Sequence, residues 1–261
     1  MLAAMKPRLA EPIDLGDIVS AACFLCVREW RSIIPMAVLT AAATIVTDVG
    51  LIPLASRAPA APGGQSPTLP HIPVALAPLL ALGTVLLLFN QLAFIRLSLE
   101  VWLNGRRRAA GAYLLAVRGF LPALAAAALT AAVFLIGTVT WIGIPVALYF
   151  LVCWFFAGQV CIGEGEANPF RALRRSRSIV RGAWWRTAAI LAGVTLLALL
   201  PSILVGWVRT GGLAPALALS AVATAVAAPF LASAQTMIYL DRRVRKHESI
   251  ALATSEPAEP V

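Results

Sequence analysis

Glu164-Gly-Glu-Ala-Asn168-Pro169-Phe-Arg171-Ala172-Leu173-Arg174-Arg175-Ser176-Arg177-Ser178-Ile179-Val180-Arg181-Gly182-Ala-Trp184-Trp185-Arg186 is a polar, basic stretch with a long apolar run on either side. Asn168 followed by Pro169 reads as an N-cap and a first helical residue. On a helix beginning there, Ala172, Leu173, Ser176, Ile179 and Val180 share one side. Arg171, Arg174, Arg175, Ser178 and Arg181 take the other, with Arg177 at the border. This pattern predicts a short basic amphipathic helix of the kind that lies on an anionic membrane surface. Gly182 permits a turn, and Trp184, Trp185 and Arg186 mark the entry to the next apolar run.

The flanking runs set the class. Of 261 residues, 60% are hydrophobic and 13% charged, and the mean hydropathy is +0.86. A soluble domain is nearer to half apolar and a quarter charged. The apolar residues come in blocks of roughly 20, the length that crosses a bilayer. The blocks predict six spans at about Ile33–Leu54, Val74–Phe94 (continuing as helix through Trp102), Leu121–Val139, Ile144–Ile162, Thr187–Val208 and Pro215–Leu240. Ile13–Trp30 and Ala109–Arg118 read as further short surface helices. Residues 1–12 and 249–261 read as polar, unstructured ends around a membrane domain over 13–248. The Pro- and Gly-rich segment Ser56–Pro73 suits an exposed loop. No cleavable signal peptide is expected at the start.

Charge gives an orientation. The net charge is +9, which in a soluble chain would raise nucleic-acid binding. Here 19 of the 21 lysines and arginines fall in the N-terminal segment, the 96–118 and 171–186 connections and the tail. Only Arg57 and Arg209 lie in the opposite connections, so both ends are expected on the cytoplasmic side of a bacterial inner membrane. Arg96 and Glu100 are four apart and can pair on one helix face. Val27-Arg28, Val117-Arg118 and Val180-Arg181 each close a surface helix before an odd-numbered span, a threefold helix–hairpin pattern.

Candidates for chemistry are few. Asp48 lies within the first span, and an ionisable group there is a functional candidate; at the outer interface it would instead pair with Arg57 or Arg209. Asn90, Gln91, Gln159 and Gln235 could line a polar path or bond across helices and fix packing. Pro201 and Pro229 could mark the broken helices of a transporter or kinked packing helices. Cys23 and Cys26 form a C-x-x-C that lacks a second pair or a nearby histidine, and reads as small apolar residues on one helix face. There is no H-E-x-x-H, no Walker loop, no G-x-S-x-G and no set of metal ligands. The expectation is no metal, no cofactor and no enzymatic activity.

Some of these residues also carry a resemblance. Glu164-Gly165, then Ala172-Leu173-Arg174-Arg175-Ser176 and Val180-Arg181-Gly182, resemble a segment of the membrane domain found beside bacterial glycerophosphoryl diester phosphodiesterases, and of its stand-alone relatives. Tyr239-Leu240-Asp241-Arg242-Arg243-Val244-Arg245-Lys246 is similar to that family's ending, and Pro12-Ile13-Asp14-Leu15-Gly16-Asp17-Ile18 to its start. His247 departs from the family pattern, as does the loop at 58–68. The resemblance implies the membrane part without the catalytic domain, and hence no hydrolase activity. The expected function is a membrane module that binds anionic lipid head groups or a protein partner through Arg171, Arg174, Arg175, Arg177, Arg181, Trp184 and Trp185. The alternative is a transporter or export component working through Asp48 and the intramembrane amides.

Overall fold

The computed structural model describes residues 14–55, 77–104, 109–139, 143–207 and 213–246. The predicted unstructured ends, the Pro/Gly loop, Arg57 and Arg209 lie outside the described residues. Among the described residues the chain is all helix: α1 (Leu15–Arg28), α2 (Trp30–Ala55), α3 (Ala77–Asn104), α4 (Ala109–Thr138), α5 (Gly143–Trp154), the single turn α6 (Ala157–Gln159), a π-helical turn (Val160–Glu164), α7 (Pro169–Val180), α8 (Trp184–Trp207) and α9 (Leu213–Val244). Six stretches are long and apolar enough to cross a membrane, with mean hydropathy between 1.4 and 2.2. The protein is a multi-pass membrane protein, and its outer surface agrees. Val38, Leu135, Ile136, Leu196 and Val226 are exposed side chains on the spans, an apolar belt that would be a liability in water.

In hydrocarbon every polar group needs an internal partner. Thr40, Thr44, Thr47, Thr84, Thr130, Thr224 and Thr236 each donate their hydroxyl to the carbonyl four residues earlier, at 2.8–3.0 Å. The helices approach closely where side chains are small. A Cβ on Gly83 would collide with the Thr47 hydroxyl, and one on Gly119 would stand 2.6 Å from Ile162 Cδ1. α2 packs on α3 and α9, α9 on α8, and α4 on α3 and α5.

Two features depart from the sequence reading. The predicted helix Ala109–Arg118 and the third span are one continuous helix, α4, which also runs through Pro122. Gly119 permits close contact with Cys161 and Ile162. α8 and α9 run unbroken through Pro201 and Pro229, which fits the packing-helix alternative for these prolines and not the broken-helix one. The broken span is the fourth, which has no proline at its break. It is interrupted at Phe155–Phe156 and again by the π turn that ends at Gly165, whose φ is +71°.

The amphipathic helices differ too in what they cover. α1 opens with Asp14 N–H donating to Asp17 Oδ2 at 3.2 Å and buries Ile18, Ala21, Ala22 and Leu25, packing chiefly on α9. α7 begins as expected: Asn168 Oδ1 accepts from the N–H groups of Phe170 (3.0 Å) and Arg171 (3.3 Å). Its apolar face, Ala172, Leu173, Ser176, Ile179 and Val180, is buried as the sequence predicts. The cover, however, is α4, α5, α6, α9 and the π turn. Both helices are docked on the bundle by the faces that the sequence alone would have assigned to lipid.

Candidate functional site

The break in the fourth span leaves backbone groups without helical partners, and polar side chains supply them. The buried Ser176 hydroxyl, on α7, donates to the Cys153 carbonyl at 2.8 Å and accepts from Phe156 N–H at 3.1 Å. It bridges the gap between α5 and α6. Arg96 Nη1, on α3, donates to the Ile162 carbonyl in the π turn at 3.2 Å, while its Nε holds Glu100 at 3.0 Å, the expected pair.

Glu164 closes the π turn and is the hub of an ionic cluster. Tyr239 of α9 donates its hydroxyl to Glu164 Oε1 at 2.8 Å. Arg243, one turn further along α9, donates to that hydroxyl oxygen at 3.1 Å and stands 3.5 Å from the same carboxylate oxygen. Arg175 Nε reaches Glu164 Oε2 at 3.1 Å. Lys246 donates to the Ser178 carbonyl, tying the end of α9 to α7. The residues quoted for the sequence resemblance thus converge: Glu164, Arg175, Ser176, Tyr239 and Arg243 occupy one end of the bundle.

Arg175 is therefore turned inward. Arg171, Arg174, Arg177 and Arg181 remain exposed. Arg174, Arg177 and Arg181 are spaced by three and four residues, which puts them on one helical stripe. Together with Tyr149, Cys153, Ser178 and Trp184 they line a cleft of about 520 Å³ between α5, α7 and α8. Its aromatic wall is fixed: Trp184 stacks on Tyr149 with ring centroids 5.7 Å apart and donates Nε1–H to the Tyr149 carbonyl at 3.3 Å. Among the described residues no acidic side chain lines this cleft. Trp185, 81% exposed, packs edge-on against Trp184 at 4.6 Å, and Phe170 is also exposed beside the basic face. Bulky aromatic residues next to arginines are the composition of a membrane–water boundary.

The intramembrane candidates separate into three places. Asn90 is buried and fully engaged: Nδ2 donates to the Met36 carbonyl at 2.8 Å and to Thr40 Oγ1, and Oδ1 accepts from the Tyr113 hydroxyl at 2.7 Å. This knot joins α2, α3 and α4 and is a packing contact. Asp48 Oδ2 accepts from the Ser220 hydroxyl at 2.6 Å, linking α2 to α9. Gln91, Gln159 and Gln235 instead share one cavity. Among the described residues no three of the His, Cys, Asp and Glu side chains gather to hold a metal. All four cysteines are free, and Cys26 beside Cys23 is pushed up to about 11, by burial first and by its neighbour second, against a lowering hydrogen bond with Ser233.

The Glu164 cluster was not assembled from sequence because Tyr239 lies 75 residues from Glu164 and Arg243 further still. The Tyr239/Arg243 spacing of one helical turn was its only local signal. No protein-family model matches the chain, and no curated protein or solved structure shows a significant match to it.

Proposed function

We propose that the protein is a non-catalytic inner-membrane module, both ends cytoplasmic, that holds an anionic lipid head group in the cleft between α5, α7 and α8. One observation carries this reading: three arginines on one stripe line a cleft with an aromatic wall and no acidic lining. A guanidinium binds a phosphate through paired N–H donors, and basic pockets between spans on the cytoplasmic side are where anionic head groups bind. Arg171 adds charge at the rim, and Trp185 with Phe170 anchors the site at the head-group level. Arg175 supports the site by fastening α7 to Glu164. The motif similarity to the membrane domain beside glycerophosphoryl diester phosphodiesterases belongs to this proposal, as does the absence of hydrolase activity.

Native mass spectrometry of the detergent-purified protein tests it. Each arginine near an anionic surface contributes about 1 kcal/mol. The triple variant Arg174→Gln, Arg177→Gln, Arg181→Gln therefore loses roughly 100-fold in retention of phosphatidylglycerol or cardiolipin, with phosphatidylcholine unaffected. Equal retention of the anionic lipids by wild type and variant removes the reading. Orientation has its own check: with the native cysteines replaced, Arg57→Cys is labelled by an impermeant maleimide from the outside of spheroplasts, and labelling only after lysis reverses the map.

The transporter alternative draws on Asp48, Asn90, Gln91, Gln159 and Gln235, of which the three glutamines share a cavity. Asn90 is committed to packing, and Asp48 bonds Ser220 away from the cavity shared by the three glutamines.

A further inference from the structure

Between α3, α4, the α5–α6 segment and α9 lies a second cavity, of about 540 Å³. Its walls are hydrocarbon and aromatic, among them Leu92, Ile95, Ala127, Phe155 and Leu231. Among the described residues no charged side chain lines it. Its polar members are Gln91, Gln159 and Gln235, one from each of α3, α6 and α9, and Thr130 of α4, whose hydroxyl is committed to the Ala126 carbonyl at 2.8 Å. An adjoining cavity of about 450 Å³ among α2, α3, α8 and α9 shares Leu88, Gln91 and Leu231 with it. The lining residues Ala131, Phe134 and Leu151 are exposed on the outer surface of the bundle, so the cavity opens sideways.

Gln159 is the informative group. It is 1% exposed, and neither its amide oxygen nor its amide nitrogen has a hydrogen-bond partner. An unpaired amide away from water is costly, and native interiors rarely keep one without a reason. Its placement is built. Gln159 sits between the break at Phe155–Phe156 and the π turn, and both irregularities are held open by the Ser176 and Arg96 contacts. π turns are often found at functional sites. On the side facing α3, Gly158 keeps the wall close: a Cβ there would meet Leu92 at 3.2 Å.

We propose that this cavity binds a neutral lipid bearing an ester carbonyl and a free hydroxyl, the chemistry of a diacylglycerol, entering from the bilayer. The ester carbonyl accepts from the Gln159 amide nitrogen, and the hydroxyl donates to its oxygen. The apolar walls take the first part of the acyl chains, whose ends extend through the lateral opening. A charged head group is excluded, because the lining offers no counter-charge to offset its desolvation. The volume lies within the roughly 300–1,000 Å³ range of ligand pockets. The site is separate from the arginine cleft and does not depend on it.

A photoactivatable diacylglycerol in nanodiscs of phosphatidylcholine and phosphatidylglycerol, with the full chain, tests the assignment. Label is expected on peptides covering 88–95, 123–134 and 151–159, competed by unlabelled dioleoylglycerol and not by added phosphatidylglycerol. Gln159→Leu, which removes an unpaired amide and leaves thermal stability equal or higher, lowers the competed label roughly tenfold or more, the loss of both hydrogen bonds to the lipid. Ala127→Phe fills the space and abolishes it, while the triple arginine variant labels like wild type. Label that is absent, uncompeted, displaced by phosphatidylglycerol, or unchanged in both Gln159→Leu and Ala127→Phe overturns the proposal. Absent label includes the case in which the cavity holds only water.

Discussion

Removing the Glu164 carboxylate should loosen the end of the bundle by an amount that the geometry lets one work out. Glu164 accepts from Tyr239 and Arg175 and neutralises Arg243. The Arg175 arm is partly solvated, with 31% of that side chain and 21% of the Glu164 side chain exposed, so it is worth about 0.5–1 kcal/mol. The α9 arm is drier, since Arg243 is 9% exposed and Tyr239 is fully buried. Loss of a hydrogen bond to a charged group there costs about 1.5–2 kcal/mol. Glu164→Ala is thus destabilising by about 2–3 kcal/mol. At roughly 2–4 °C per kcal/mol for a chain of this length, its Tm in mild detergent falls by about 5–10 °C, read as loss of the monodisperse peak after heating. Glu164→Gln keeps an acceptor for the Tyr239 hydroxyl and loses the charge, so it falls about half as far.

The partner is identified by a double-mutant cycle. Arg243→Ala alone destabilises, but in the Glu164→Ala background much of that effect should vanish, leaving a coupling of about 1 kcal/mol. A Glu164→Ala protein that melts within about 1 °C of wild type, or strict additivity with Arg243→Ala, would refute the assignment of Glu164 as the hub.

Ser176→Ala leaves the Cys153 carbonyl and the Phe156 N–H without their bridge and costs about 2 kcal/mol, read by the same melting assay; Ser176→Thr is expected to restore part of the loss. Asn90→Leu removes three bonds at about 0.6 kcal/mol each, the average for bonds between membrane helices; the sum of roughly 2 kcal/mol should appear in detergent-induced unfolding, and no change there would mean that the knot contributes nothing. Cys26 has its thiol raised to about 11 by burial, so below that pH it is mostly protonated; in a Cys23→Ser background its alkylation should be slow at neutral pH and rise roughly tenfold per pH unit between pH 8 and 10, and a rate that levels off near pH 8 contradicts the burial.

The spans were legible because a block of about 20 apolar residues admits few other readings. α7 was legible because Asn168-Pro169 names its start and the alternation of Leu173, Ser176 and Val180 with Arg171, Arg174 and Arg181 names its faces. What covers an apolar face was not legible, since bilayer and protein ask for the same residues; the buried faces of α1 and α7 met α9 and the bundle end. The basic face also concealed a difference in role. Helical position puts Arg175 beside Arg174, but only its contact with Glu164, eleven residues earlier, shows that it is a fastener. Pro201 and Pro229 offered two readings, broken or kinked packing helices, because the loss of one backbone donor is local and visible in sequence. The actual break at Phe155–Phe156 depends on atoms from α7 and α3, which no local pattern announces.

That dependence also explains why the break lies where it does. Irregular backbone is tolerated at membrane depth only where other protein groups satisfy it. Here the partners are a buried serine on a basic helix and a buried arginine with its own glutamate, carried by elements at the basic end of the bundle. The span can therefore abandon α-helical geometry only at its basic end, within reach of α7 and the end of α3. The same contacts fix α7 against the bundle and set the direction of Gln159. The arrangement of the arginine cleft and the placement of one unpaired amide beside the apolar cavity thus follow from a single set of bonds around residues 153–164, although different chemistry is proposed for the two places.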